Sequence, residues 1–357
     1  MISLRRGYVK KIIHQTIDKS EVIVEINGAL EKAINYNHLS GEIAVGDLVI
    51  MNITAVELGL GTGGYHFIIA NLRHESIKSG GKGHIMKLRY TPIQIKVLAA
   101  EEQNSPYHEL FLNFESLNGL PVLIGSLHSM LLPMAATIKY YRPKAKIAYI
   151  MTDGAALPIY LSKTVDLLKE KKLIDATITI GNAFGGDFEC INVYNGLIAA
   201  KEIIKCDFAI ITMGPGIVGS GTPFGFSGIE QGINIDAVNS LGGKAITIPR
   251  ISFADERERH KGISHHTLTV LNKIAKTKSY LPLPLLGKTK MDYLHNQINN
   301  LKIDKKHYIV EVNASILPTI LDKYSIRVNS MGREFNDDPA FFLACCSGAR
   351  YSLEALK

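Results

Sequence analysis

Ile210-Ile211-Thr212-Met213-Gly214-Pro215-Gly216-Ile217-Val218-Gly219-Ser220-Gly221-Thr222 is an apolar β-type run that empties into a loop with four glycines, and helix-like sequence follows it. Glycine has no Cβ, so such a loop brings backbone N–H groups close to a ligand, most often an anionic or polar one. Strand-like runs recur on either side, at 121–124, 146–151, 176–180, 244–248, 280–285 and 307–312. Amphipathic segments at 159–171, 190–204 and 229–241 lie between them, with further helices expected after Leu286 and around 340–351. This alternation predicts an α/β fold, a doubly wound and mostly parallel sheet covered by helices on both faces.

Upstream the rhythm differs. The runs 8–13, 21–26, 31–36, 47–54 and 65–70 are short and rich in β-branched or aromatic residues, with turn signals at Asn27-Gly28, Ser40-Gly41 and Gly46-Asp47. Five such strands predict a small N-terminal β-barrel. A Gly/Lys/Ser-rich linker at 76–83 and strand-like sequence at 84–100 follow. The expected division is 1–100 for the barrel and linker strands and 101–357 for an α/β ligand-binding domain.

The 357 residues carry a formal net charge of +7, which favours anionic partners without demanding nucleic acid. Arg5, Arg6, Lys10 and Lys11 cluster near the N-terminus, and Lys169, Lys171 and Lys172 close an expected helix; the rest are dispersed. Cys190, Cys206, Cys345 and Cys346 form no C-x-x-C pair and read as buried thiols of a cytoplasmic protein. The charged, β-like N-terminus is unlike a signal peptide. The uncharged run 120–138 is broken by Pro121, Gly125, His128 and Pro133 into strand, turn and helix, which argues against a membrane span. A homo-oligomer is the expected assembly.

In open α/β sheets ligands bind beyond the carboxyl ends of the strands, so the residues after each run are the candidates. They are Gly125-Ser126-Leu127-His128-Ser129, Thr152-Asp153-Gly154, Gly181 to Asp187, the opening loop, and Pro249-Arg250. Gly214, Gly216, Gly219, Ser220, Gly221 and Thr222 fit neither a Walker loop nor a complete dinucleotide fingerprint. The Ser220 and Thr222 hydroxyls favour a phosphate or carboxylate at the following helix N-terminus. Gly185, Gly186 and Asp187 form a second candidate loop able to close on a ligand, and Arg250 offers a cation. Asp153 suits a helix cap or a general base. The turn at 125–129 lacks the second glycine of a nucleophile elbow, which makes His128 the better candidate there.

The densest ionisable stretch is Asp255-Glu256-Arg257-Glu258-Arg259-His260-Lys261-Gly262-Ile263-Ser264-His265-His266-Thr267. Ser264 suits an N-cap, which puts His265 and His266 in a first helical turn where the helix dipole favours neutral imidazole. Adjacent residues on a helix diverge by about 100°, so the two are expected to point apart. A metal site drawing on His128, Asp153 or Asp255 is a lesser alternative, and no metal-ligand set or cofactor is assigned. In the barrel region, Glu57 to Phe67 holds four glycines ahead of Tyr65-His66; Gly63, Gly64 and His66 are expected to serve ligand binding from a mobile loop.

Taken with Gly59-Leu60-Gly61-Thr62-Gly63-Gly64-Tyr65-His66-Phe67, His84-Ile85-Met86-Lys87-Leu88-Arg89-Tyr90-Thr91-Pro92, Met151-Thr152-Asp153-Gly154-Ala155-Ala156-Leu157-Pro158 and Ser264-His265-His266-Thr267, the chain resembles a bacterial domain-of-unknown-function family found largely in Gram-positive lineages. The resemblance runs nearly end to end and implies no activity. A fainter likeness is to the B-protein of glycine reductase, where a strand also ends in Thr-Asp-Gly; there a later loop carries the catalytic selenocysteine or cysteine. Here that loop is 214–222 and has no Cys, so only the fold would carry over. The expected function is a hydrolase or transferase acting on a small anionic metabolite, phosphorylated or nucleotide-like, with Asp153, His128, His265 and His266 as acid/base candidates. A non-catalytic metabolite sensor or an RNA-binding regulator is the alternative.

Overall fold

Asn27 and Gly28 both adopt positive φ, 50° and 85°, and this left-handed pair turns strand β2 (Lys19–Ile26) directly into β3 (Ala29–Tyr36). In the computed structural model, which describes residues 2–78 and 80–355, that hairpin seeds a closed five-stranded barrel. Its other strands are β1 (Leu4–Gln15), β4 (Leu48–Asn52) and β5 (Tyr65–Asn71), and the order around the barrel is β1-β2-β3-β5-β4. All pairs are antiparallel except β3 with β5, and β1 closes the barrel by pairing with both β2 and β4. Two register shifts, after Val9 and after Ile12, let β1 coil between them. Alternate residues point inward: Val9, Val22, Val24, Ala33, Val49 and Met51 are fully buried there.

The short helices α1 (Asn37–Ser40) and α2 (Thr54–Glu57) sit in the barrel connections, and a hairpin of β6 (Ile85–Lys87) and β7 (Ile95–Val97) follows. Of the Gly/Lys/Ser-rich linker, Ser79 lies outside the described residues. The chain divides into two compact units, one ending at Val97 and the next starting at Leu98.

The second unit starts with α3 (His108–Leu112) and is built on eight parallel strands. These are β8 (Pro121–Ile124), β9 (Ile147–Thr152), β10 (Ala176–Thr179), β11 (Phe188–Glu189), β12 (Phe208–Met213), β13 (Lys244–Thr247), β16 (Tyr280–Pro284) and β17 (Tyr308–Val312). Their order is β11-β10-β9-β12-β8-β13-β16-β17. The central strands are buried along their whole length, as a sheet covered on both faces requires. Successive side chains serve opposite faces. Val122, Ile124, Ile150, Ala209 and Ile211 join a core with α6 (Val193–Ile198), α7 (Glu230–Ser240), α8 (His265–Thr269) and α9 (Lys288–Asn300). Leu123, Tyr149, Met151, Phe208 and Ile210 join the other, with α4 (Leu131–Tyr141), α5 (Lys163–Glu170), α10 (Leu317–Tyr324) and α11 (Pro339–Glu354). This is the doubly wound α/β arrangement that the alternating sequence predicts.

Two further pairs, β14 (Ile251–Ser252) with β15 (Gly262–Ile263) and β18 (Asn329–Ser330) with β19 (Arg333–Glu334), are antiparallel and lie outside the main sheet. The uncharged run 120–138 becomes β8, a turn and most of α4. No helix among the described residues is long and apolar enough to cross a membrane. All four cysteines are buried, and no disulfide joins them.

Gly348 shows how closely α11 lies on the sheet: a Cβ there would collide with Ile248 Cδ1. Gly348→Ala is therefore expected to lower stability by about 1–3 kcal/mol despite alanine's better helix propensity. Urea denaturation checks this, and a variant as stable as the parent would show that Ile248 has room to move.

Candidate active site at the carboxyl rim

A crevice opens in a parallel sheet where neighbouring strands send their connections to opposite sides. Here β9 leads towards β10 and β12 leads back across β8 to β13, while β9 and β12 are themselves neighbours, with Thr152 paired to Met213. The crevice thus opens between Thr152-Asp153 and Met213-Gly214.

Thr152 is buried, and its hydroxyl donates to Oε1 of Glu230, the first residue of α7. Burial pushes the Glu230 carboxyl up from 4.5 to about 7; the Thr152 hydrogen bond opposes the rise and the nearby Asp153 charge adds to it. A carboxyl with that value is divided between acid and base forms at neutral pH, which suits proton transfer. Asp153 is exposed, and its Oδ2 accepts the Asn182 N–H at 2.9 Å, tying the ends of β9 and β10 together rather than capping a helix. Two glycines permit the close meeting of loops. A Cβ on Gly154 would fall 2.8 Å from Glu230 Oε2, and one on Gly214 would collide with the Ala156 carbonyl. The Ala156 N–H donates to the Pro215 carbonyl at 3.0 Å, so the β9 and β12 loops are joined at their bases.

Gly216, at φ 107°, turns the chain outward. Beyond it Gly219 bridges Phe226, and the Ser220 N–H donates to the Gly225 carbonyl at 2.7 Å, which makes a hairpin. Ser220 Oγ and Thr222 Oγ1 lie 2.9 Å apart, and Gly225 N–H donates to Thr222 Oγ1. Ser220, Gly221 and Thr222 thus lie exposed at a hairpin tip, while α7 begins beyond it at Glu230. That differs from the sequence expectation of hydroxyls set directly at a helix N-terminus.

The hairpin's return strand meets the histidines. Phe226 stacks on His266 with ring centroids 3.9 Å apart and planes within 5°. Ser264 caps α8, its Oγ accepting the His266 N–H. His260, His265 and His266 each place a ring nitrogen within 4.8 Å of the others. The sequence expectation that His265 and His266 point apart is corrected: their ring centroids are 4.3 Å apart. Side chains of a first turn lean towards the helix N-terminus, and these two converge on His260, at centroid distances of 5.1 and 5.0 Å. His260 and His266 are held neutral, both pushed down to about 3 chiefly by burial; Arg250 adds to the depression at His260, His265 and Arg250 at His266. His265 is lowered for the same first reason, with Arg259 next. His265 Nε2 and His266 Nδ1 have no hydrogen-bond partner. Each such buried orphan costs about 1–3 kcal/mol unless a ligand satisfies it.

Behind them lies a charge cluster. Arg250 is buried, and its guanidinium reaches Asp255 Oδ2 at 3.2 Å. The same carboxylate accepts from Arg257 at 2.8 Å and from Arg333 at 3.3 Å. Arg333 also lies 3.6 Å from Asp338, so three guanidiniums face two carboxylates and the surplus is positive.

Other candidates are engaged within the fold. His128 Nδ1 lies 3.1 Å from the Tyr149 hydroxyl and 3.2 Å from the Met213 carbonyl, and its Nε2 is 2.6 Å from Ser162 Oγ. Asp187 accepts from Thr177 N–H and Oγ1 and from Lys169 Nζ, each at 2.8 Å. The Gly185 N–H donates to Glu189 and the Gly186 N–H to Thr179 Oγ1, bracing the sheet edge rather than leaving an open loop. In the barrel, His66 is buried with Nε2 2.6 Å from Glu31 Oε2, and Gly63 and Gly64 take positive φ in the turn before β5.

Sequence reasoning missed Glu230 and gave His260 no role. Glu230 reads as an ordinary acidic residue of a first helical turn, and only the strand order places it over Thr152. His260 lies in a charge run that reads as solvated loop.

The fold defines an α/β protein with a crevice at a topological switch point of its parallel sheet. The chain belongs to the family described as "Protein of unknown function (DUF3866)", whose model matches residues 32–349. No curated protein and no solved structure matches the chain.

Proposed function

We propose that the carboxyl rim of the α/β unit is the active site of a hydrolase or transferase acting on a small anionic metabolite, phosphorylated or nucleotide-like. The observation that carries this reading is Glu230, a mostly buried carboxyl raised to about 7 at the crevice between β9 and β12. Asp153 beside it is the partner carboxylate of the crevice, and its charge helps to raise Glu230. The positive surplus around Arg250, Arg257 and Arg333 supports an anionic substrate, and Ser220, Gly221 and Thr222 at the exposed hairpin tip offer polar groups to hold it. His265 and His266 lie on the same rim as neutral nitrogen donors. The four buried thiols make cysteine nucleophilic chemistry a poor match.

A thermal-shift screen with inorganic phosphate, nucleoside monophosphates and dicarboxylates, followed by turnover assays on the stabilising compounds, tests the proposal. The rate is expected to show a limb near pH 7 that vanishes in Glu230→Gln, with kcat/KM down about 100-fold or more. Asp153→Asn is expected to bind the same compound with little turnover. A ligand that binds but is never turned over would instead favour a metabolite sensor.

A further inference from the structure

We propose that His260, His265 and His266 form a binding site for a divalent first-row transition metal of the zinc class. Three observations converge. One ring nitrogen from each histidine lies within 4.8 Å of one from each of the others. His265 Nε2 and His266 Nδ1 are shielded from solvent without a hydrogen-bond partner, although His266 as a residue is only 7% exposed and stands in an ordered helix start. The third ring has its orientation fixed, because Ser264 Oγ lies 2.7 Å from His260 Nδ1 and leaves Nε2 as the donor. A ligating histidine held through its second nitrogen in this way is the usual outer support of a metal site.

Packing alone gives no reason to gather three imidazoles. An apolar cluster would fill the same space without unpartnered nitrogens, and a hydrogen-bonded cluster would pair them. A shared cation satisfies both orphans at once. Zinc–nitrogen bonds of about 2.0–2.1 Å put tetrahedral donors about 3.3 Å apart, so the rings need to draw together by about 1.5 Å at most. His265 is the half-buried member of the three, while His260 and His266 are buried.

The donor set selects the metal. Three neutral imidazole nitrogens suit zinc, cobalt or nickel and are a poor match for magnesium or calcium, which prefer oxygen. Asp255 is committed to Arg250, Arg257 and Arg333, and His128 to Tyr149, Met213 and Ser162, so neither completes the set. Three protein ligands leave a coordination position for water or an anion. The neighbouring arginine cluster favours the anion, which ties the site to the same class of metabolite without requiring Glu230 to be the acid–base group.

The test uses the full-length chain, stripped with a chelator and titrated with zinc alone and with cobalt alone. Calorimetry follows zinc, and the visible spectrum follows cobalt. One ion per chain is expected, with a cobalt spectrum of nitrogen-ligated tetrahedral type. His265→Ala is expected to weaken zinc by at least about 100-fold, and Ser264→Ala, which removes the support of His260 together with the cap of α8, by about 10-fold. Because His266 stacks on Phe226, His266→Ala risks misfolding; His265→Ala carries the argument, with circular dichroism confirming its fold and His295→Ala as a surface control. A folded parent protein that takes up neither ion, or a His265→Ala variant that binds zinc as tightly as the parent, overturns the proposal. Neither result bears on the pH limb assigned to Glu230, so the two readings fail separately.

Discussion

Asp255→Asn is expected to cost about 3–5 kcal/mol of folding stability, the usual cost of stripping the partner from a buried charge. The substitution keeps the shape of the side chain and removes its charge. The Arg250 side chain is 3% exposed and that of Asp255 2%, so Arg250 would be left buried against Arg257 and Arg333 with the remote Asp338 as the other acidic group of the cluster. Hydrogen bonds from Arg257 hold the Asp255 carboxyl well below the ordinary carboxylate range, against the opposing effect of burial. A depressed carboxyl stabilises the fold above its unfolded value of about 3.9, and that contribution fades as pH falls towards the folded value. The parent protein should therefore lose stability below about pH 4, and Asp255→Asn should be weak at neutral pH with a flatter acid limb. Urea denaturation between pH 3 and 7 measures both. A loss below about 1 kcal/mol at pH 7 would mean that water reaches Arg250.

Glu230→Gln is expected to stabilise the protein at alkaline pH. A carboxyl raised from 4.5 to about 7 binds its proton more tightly when folded than when unfolded. Its contribution is full below about 4.5 and is lost as pH rises through about 7, so above 7 the folded state carries a poorly solvated charge. The difference amounts to about 3 kcal/mol. Glutamine retains an oxygen that accepts the Thr152 hydroxyl and has no charge to bury. The variant should match the parent near pH 4 and exceed it by up to about 3 kcal/mol near pH 8, a Tm gain of about 4–6 °C. Curves that stay parallel across this range would show that Glu230 titrates normally. A variant that gains stability while losing turnover would display the trade-off common at active sites.

The sheet was legible because its strands are buried on both faces and therefore read as short apolar runs. Pro121–Ile124 matches its expected span residue for residue, the Ile210 run extends back to Phe208, and the other long strands of the sheet fall within a residue or so. The barrel was legible for a different reason, since Asn27-Gly28 and alternating Val and Ile residues specify a hairpin locally. The helix α10 was missed: Leu317–Tyr324 is short, begins Leu317-Pro318, and comes after loop-like sequence. The two-residue pairs β14–β15 and β18–β19 are too brief for any periodicity to register. The expected helix at 190–204 is shorter, Val193–Ile198, and its last turns widen to i→i+5 bonding over Ala199–Ile203.

The candidate site was legible as a set of strand ends and obscure as a constellation. Strand ends announce themselves by the polar and glycine-rich residues just beyond them, which is why Thr152-Asp153, the 214–222 loop and Arg250 could be singled out. Strand order does not, and it is the return of β12 to lie between β9 and β8 that sets Glu230 above Thr152. Helical periodicity also misled, because it separates His265 from His266, whereas the capped first turn brings both onto His260. The glycines of the opening stretch divide in the same way: Gly214 lets two loops meet, Gly216 turns the chain, and Gly221 lies at the hairpin tip.

The most direct measurement is a carbon-13 NMR titration of the glutamate side-chain carboxyls in the parent protein and in Glu230→Gln. One carboxyl with a midpoint near 7 is expected, absent from the variant. If every glutamate titrates below about pH 5, as exposed carboxyls do, the crevice holds no poised acid–base group and the enzymatic reading fails.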